Sequence, residues 1–196
     1  MNQREAFNTL FNSGKTFDDY KSTVDRDGAI RKMEAHLAAC DDCIQEFKPT
    51  LQTSNLPLKI LVIAESWCGD CANALPVMAR LSREQNQWDL KIVKRDENEE
   101  IIKKFYLTGG RKKVPVVIFA DSDGDEMARW VERPNRSYRV IRELKEKKLS
   151  KEDYIAQYKQ LPELQAPSLT REIAREFVEV TTRVTDMIDI LPSRKD

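Results

Sequence analysis

Leu58-Lys59-Ile60-Leu61-Val62-Ile63-Ala64-Glu65-Ser66-Trp67-Cys68-Gly69-Asp70-Cys71 is the stretch on which the reading of the fold turns. Its first seven residues form a near-continuous apolar run of strand length, the pattern of a strand buried on both faces. Behind the cysteines, Ala74, Leu75, Met78 and Leu81 fall at helical spacing and predict a helix from about Asp70 to Gln87. Pro76 predicts a kink in it, because proline deletes a backbone donor and crowds the preceding turn. Cys68 is therefore expected where a strand gives way to a helix N-terminus. The unpaired N–H groups and partial positive charge there stabilise a thiolate, which is the reactive form of cysteine. Cys71, one turn into the helix, can reach Cys68 and is predicted to be the more buried of the two. Gly69 keeps the approach to Cys68 open, and Trp67 offers a flat apolar surface beside it.

Downstream, Leu90 to Val93 reads as a second strand and Glu99 to Tyr106 as a short helix. Val114-Pro115-Val116-Val117-Ile118-Phe119 reads as a third strand opening with a proline. Were the Val114–Pro115 bond cis, the Val114 backbone would be free to pair with a peptide lying beside Cys68; the sequence does not fix the isomer. Gly109-Gly110 lacks phosphate-loop spacing and permits a turn before that strand. Asp121 to Asp125 is a turn signature, followed by a strand through Met127 to Val131. Pro134 opens a helix running to about Lys148. Ser168 to Leu191 makes a long amphipathic helix with Leu169, Ile173, Phe177, Val180, Val184 and Ile188 on one stripe.

Upstream, residues 1–49 read as helical. Thr16 with Asp19 caps a short helix, and Gly28 to Phe47 carries apolar positions at Ile30, Met33, Leu37 and Ile44. Pro49 to Pro57 reads as a polar connector. The β-α-β-α-β-β-α order predicts an α/β mixed sheet covered by helices. Three parts are expected: an N-terminal helical extension (1–49), a central domain (50–150), and a C-terminal helical extension (151–196) packed on it.

The 196 residues are 40% hydrophobic and 34% charged, which suits a helix-rich globular chain. Acidic and basic side chains balance at 33 each, so no global field recruits nucleic acid or an anionic membrane. The start of the chain lacks the apolar core of a signal peptide, and Leu58–Ala64 is too short to span a bilayer. A cytoplasmic location is expected, where CxxC pairs are more often redox-active or metal-bound than structural.

The segment from Leu58 to about Lys148 resembles the thioredoxin family. The likeness is carried by the strand, the Trp67-Cys68-Gly69-Asp70-Cys71 turn, Pro76, and the candidate cis-Pro115. More narrowly it resembles a bacterial thioredoxin-like subfamily with an N-terminal helical extension. The marks are Glu65-Ser66-Trp67-Cys68-Gly69-Asp70, Arg95-Asp96-Glu97-Asn98, Tyr106-Leu107-Thr108-Gly109-Gly110, and Trp130 with Arg133-Pro134. The resemblance implies a thioredoxin fold with N- and C-terminal helical extensions and thiol–disulfide chemistry without a cofactor. In that reading Cys68 attacks, Cys71 resolves, and Trp67, Gly69, Asp70, Val114 and Pro115 hold the substrate. The implied partners are a disulfide-bearing protein or small molecule and an external thiol reductant, with the chain a monomer or weak homodimer. Two departures stand out. Thioredoxins usually carry a buried Asp six residues before the first motif cysteine, where this chain has Val62. The proline common between the cysteines is Asp70, whose charge disfavours a neighbouring thiolate, and Glu65 is a candidate substitute as proton relay.

His36, Cys40 and Cys43 lie at i, i+4 and i+7 on a predicted helix and share a face. Three readings stay open: a zinc site needing a fourth ligand, an auxiliary dithiol for Cys68–Cys71, and buried thiols beside a histidine. The rival to an enzyme is a non-catalytic thioredoxin-like partner-binding module, with zinc at His36, Cys40 and Cys43 as its possible elaboration.

Overall fold

The structure is a computed structural model and describes residues 1–53 and 56–191. Four strands make one sheet: β1 (Leu58–Ala64), β2 (Trp88–Lys94), β3 (Val116–Ala120) and β4 (Glu126–Val131), in the order β2-β1-β3-β4. β1 runs parallel to β2, and β3 runs antiparallel to both β1 and β4. The central pair, β1 and β3, is almost wholly buried, which is why both read as apolar runs rather than as alternating strands. The expected mixed, helix-flanked sheet is therefore the one observed.

The helices are α1 (Gln3–Ser13), α2 (Phe17–Ser22), α3 (Asp27–Leu51), α4 (Gly69–Ser82), α5 (Glu99–Phe105), α6 (Asn135–Glu146), α7 (Lys151–Gln160) and α8 (Ser168–Ile190). Asn2 and Glu5 close α1 with reciprocal bonds between side chain and backbone, and Thr16 caps α2 through the Asp19 amide. Side chains alternate across a strand, so Lys59 and Ile60 face opposite ways. Lys59 sits over the Phe11 ring of α1. Ile60 pairs in register with Phe119, whose ring packs 5.7 Å from Phe177 of α8. α1 thus covers one face of the sheet and α8 the other. α8 also contacts α3, α4 and β4, so its stripe of Leu169, Ile173, Phe177 and Val184 is core. Val180 and Ile188, partly buried, pack against that core.

Several boundaries differ from the sequence reading. α4 ends at Ser82 rather than Gln87, because Trp88 and Asp89 enter β2 opposite Leu58 and Lys59 and the chain must turn first. β3 starts at Val116, two residues after the expected opening; Pro115 has no N–H to give a ladder, although its carbonyl accepts from the Glu132 amide at 2.8 Å. α3 runs through Pro49 to Leu51, past the expected start of the connector, with Leu51 buried and its carbonyl bonded by Gln85 Nε2. Residues 54–55 of that connector, and 192–196 of the C-terminal extension, lie outside the described residues. α7 was not anticipated, although Ser150 caps it through the Asp153 amide at 3.1 Å.

Two local devices tie the domain's far end. In the 121–125 turn, Asp121 Oδ1 accepts from the amides of Asp123, Gly124 and Asp125, and Gly124 holds φ at 94°, a region that disfavours any side chain with a Cβ. Glu176 of α8 accepts from Trp130 Nε1 and from the Asn135 amide, both at 2.7 Å. It thereby joins β4 to the start of α6, which has no side-chain cap of its own.

Candidate functional site

The C-terminal end of β1 delivers the cysteine turn directly to the start of α4. Cys68 is the N-cap of that helix, with extended backbone, and its Sγ accepts the Cys71 amide at 3.3 Å. The sulfur occupies the place where a Ser, Thr or Asp oxygen usually caps. The Cys68 thiol also lies 3.5 Å from the Val114 carbonyl, and the Val114–Pro115 peptide is cis. A second cis bond, Ala166–Pro167, had no signal that the sequence reading used.

The two thiols are in different surroundings. Cys71 is fully buried, whereas Cys68 retains 8% exposure. A hydrogen bond from the Cys71 thiol draws the Cys68 pKa below its ordinary value; burial opposes this, and the backbone amides at 71 and 70 add to it. Burial pushes Cys71 well above its ordinary value, and its bond to Cys68 adds to that. The arrangement favours a nucleophile at the surface and a protonated partner behind it.

The rim is built from several elements. Trp67 is 47% exposed, yet it is held: Arg95 sits 4.9 Å above its ring and Arg26 Nη1 donates to its carbonyl at 3.0 Å. Gly69 lies beside the Lys32 ammonium. Asp70 forms an ion pair with Arg133, whose guanidinium also stacks 5.6 Å from the Tyr138 ring centre. Burial raises the Asp70 pKa while Arg133 pulls it down. The carboxylate that the sequence placed beside Cys68 is thus compensated by a cation. Glu65, buried at 5% exposure, accepts the Asp96 amide at Oε1 at 2.7 Å, so one carboxylate oxygen orders the turn after β2. Arg26 and Arg95 were not singled out as site residues; Arg95 stood within a motif that carried the resemblance, while Arg26 had no local signal.

His36, Cys40 and Cys43 lie on α3. All three are buried. His36 makes two bonds to other elements: Nδ1 to Thr170 Oγ1 at 2.8 Å and Nε2 to Asn73 Oδ1 at 3.2 Å. A tautomer with the proton on Nε2 satisfies both, leaving neither ring nitrogen free for a metal. Burial pushes the Cys40 thiol up to about 12 and also raises Cys43. Among the described residues no group of three or more His, Cys, Asp or Glu side chains is arranged to hold a metal ion.

The His36 environment has a measurable consequence. Burial lowers its pKa from 6.5 to about 4. Between those values the unfolded chain takes up a proton that the folded protein refuses. The stability due to neutral His36 is therefore intact above pH 6.5 and lost progressively as pH falls toward 4, by about 3 kcal/mol in total. Thermal midpoints of the wild type and His36→Gln across this range test it. The wild type should lose more stability on acidification than the variant, and parallel curves would refute the assignment.

Comparisons with known proteins follow the same lines. A family model described as Thioredoxin matches residues 14–145. Comparison of the sequence with curated proteins finds no match. The fold is similar to that of a protein of unknown function from Pseudomonas aeruginosa, with a TM-score of 0.67 and 17% identity over 89% of this chain and 96% of that one. It is also similar to an HIV epitope scaffold, with a TM-score of 0.64, 17% identity and the same coverages. Among the described residues no helix is long and apolar enough to cross a membrane.

Proposed function

We propose that this chain, which belongs to the thioredoxin family, is a thiol–disulfide oxidoreductase acting through Cys68 and Cys71. The observation that carries the reading is the inequality of the two sulfurs: Cys68 caps α4 and accepts the Cys71 amide, while Cys71 is sealed behind it. A helix N-terminus stabilises the thiolate needed for attack. Cys68 attacks one sulfur of a substrate disulfide; the S–S bond breaks and the second sulfur leaves as a thiolate. Cys71 then attacks the Cys68 sulfur of the mixed disulfide and releases the reduced substrate, leaving a Cys68–Cys71 disulfide. An external thiol reductant returns the two electrons.

Trp67, fixed by Arg95 and Arg26, offers an apolar platform, and the Val114–Pro115 edge offers backbone groups to an extended substrate. Gly69 leaves the sulfur approachable and Asp70, paired with Arg133, closes the rim. The substrate class is a disulfide-bearing protein or small molecule, and a reducing cytoplasm is the compartment in which such a dithiol would be reset.

The test is to trap the intermediate. Cys71→Ser keeps the nucleophile and removes the resolving thiol, so incubation with insulin should accumulate a covalent adduct at Cys68, read by intact mass and peptide mapping. The wild type should show little. Absence of any adduct, with Cys68 shown to be a free thiol, would shift the reading to a binding module built on the same fold.

A further inference from the structure

Between β4 and α6 the chain turns a corner at Glu132, Arg133 and Pro134, and Glu132 takes a φ of 60°. That left-handed conformation is uncommon for a residue with a Cβ, and such residues gather where a functional side chain must be held in place. The corner is fastened on both sides. The Glu132 amide donates to the Pro115 carbonyl and the Arg133 amide to the Val131 carbonyl, both at 2.8 Å. The Glu132 carboxylate accepts from Lys113 Nζ at 2.8 Å and from the Tyr138 hydroxyl at 2.9 Å. With Glu132 so occupied, Arg133 reaches across to α4, where Nη2 donates to Asp70 Oδ2. Both side chains of this pair are mostly covered, at 23% and 20% exposure. Arg133 Nε is buried with no partner among the described residues, a cost that an ion pair out in solvent does not carry.

We infer that Arg133 is a positioning residue for Cys68: it pairs with Asp70 and cancels the carboxylate's charge, so that the Cys68 sulfur can ionise two residues away. Cys68 is the cap of α4 and Asp70 its second residue, so the two groups share the first turn of one helix. A negative charge at Asp70, in surroundings less polar than water, disfavours a second one at the sulfur. Asp70 does act on Cys68 in that sense, while its own amide acts in the opposite one. Pairing keeps an acidic residue where a helix's first turn favours it and removes its penalty on the thiolate. Cys68 then gives its proton to solvent, and the thiolate attacks the substrate disulfide.

Among the described residues Arg133 is the one cation in an ion pair with Asp70. The other groups acting on this carboxylate are Glu132 of the corner, Lys32 of α3, Tyr138 of α6 and Tyr158 of α7. Lys32 lies beside Gly69, where an added Cβ would meet its ammonium at 3.6 Å. Arg26 and Arg95 are engaged around Trp67. Besides Asp70, the titratable groups acting on or acted on by Cys68 are Cys71 of the same helix and Tyr20 of α2.

This inference rests on the thiol–disulfide reading for its purpose, but it is measured on Cys68 alone. The reduced full-length protein is alkylated with iodoacetamide over a range of pH, and the rate at Cys68 is read by peptide mass mapping. In Arg133→Gln the midpoint of the profile should rise by about one pH unit, so that alkylation below both midpoints slows about 10-fold. Asp70→Asn should lower the midpoint, because it leaves the guanidinium unpaired. The double variant should return to within about 0.3 pH unit of wild type, and Arg133→Lys, which keeps the charge, should stay close to wild type. An unmoved midpoint in Arg133→Gln overturns the inference. A raised midpoint that Asp70→Asn does not restore also overturns it, since loosening of the corner rather than lost charge would be the cause. Should Arg133→Gln fold poorly, Asp70→Asn decides by the direction of its shift, and a midpoint that does not fall overturns the inference. The oxidoreductase reading stands or falls separately on the Cys71→Ser adduct with insulin. Absence of that adduct with the shifts present overturns the reading and leaves the action of Arg133 on Cys68 standing.

Discussion

On the proposed oxidoreductase reading, Cys68→Ser is expected to lower dithiothreitol-dependent reduction of insulin by about 10³-fold or more, to the rate of dithiothreitol alone. The expectation follows from what the substitution keeps and removes. A serine oxygen accepts the amide at position 71 at least as well as the sulfur does, since serine is among the preferred helix N-caps. α4 therefore keeps its cap and the thermal midpoint should stay close to that of the wild type. What is lost is the nucleophile: a serine hydroxyl is not ionised near neutral pH, and the helix N-terminus cannot make it so. The groups proposed to hold the substrate, Trp67 and the Val114–Pro115 edge, have no nucleophile with which to open its disulfide. Insulin turbidity followed beside thermal unfolding separates the two effects. A variant that folds and retains a tenth of wild-type turnover would sink the assignment of Cys68 as the attacking group.

The second large effect is on stability and concerns α8, far along the chain from the cysteines. Phe177→Ala is expected to cost about 3–5 kcal/mol and to lower the thermal midpoint by roughly 10 °C for a domain of this size. Phe177 is fully buried between Phe119 of β3 and Trp88 of β2, with ring centres 5.7 and 6.2 Å away. Truncation leaves a cavity against the sheet that rigid strands cannot fill, so transfer and cavity costs add. Ile190, 80% exposed at the end of the same helix, serves as control, and its change to Ala should move stability by no more than about 0.5 kcal/mol. Equal, small effects at both positions in thermal or urea unfolding would show that α8 is only loosely docked.

The mixed sheet was legible because each buried strand announces itself. Leu58–Ala64 and Val116–Ala120 have apolar side chains on both faces, and only a strand covered on both sides tolerates that pattern. The cysteine turn was legible for the same local reason: a strand, two cysteines and a helical period follow one another without a gap. Helix ends were less so. No proline or glycine interrupts residues 82–87 to end the helix behind Cys71, and what stops it is the pairing of Trp88 with Leu58, a contact between residues distant in sequence. α7 carries a capping signal but no fully buried side chain, so no apolar stripe marked it.

At the site, residue types and spacing by themselves determined which cysteines would sit at the junction of β1 and α4. They follow from the chain's local order, because a helix N-terminus acts on whatever residue stands there. The surroundings of those sulfurs were decided only by the tertiary structure. The sequence could place Asp70 beside Cys68 but not supply the Arg133 that compensates it from 63 residues away. His36 reads on paper as a metal ligand or as a histidine beside buried thiols; in the fold both its ring nitrogens are hydrogen-bonded, to Thr170 and Asn73. Tyr20 carries no motif, and only the packing of α2 on the rest of the fold buries it. Charge compensation, burial and hydrogen-bond pairing depend on distances of a few ångströms between segments remote along the chain. Local sequence does not encode such distances until the whole core has closed.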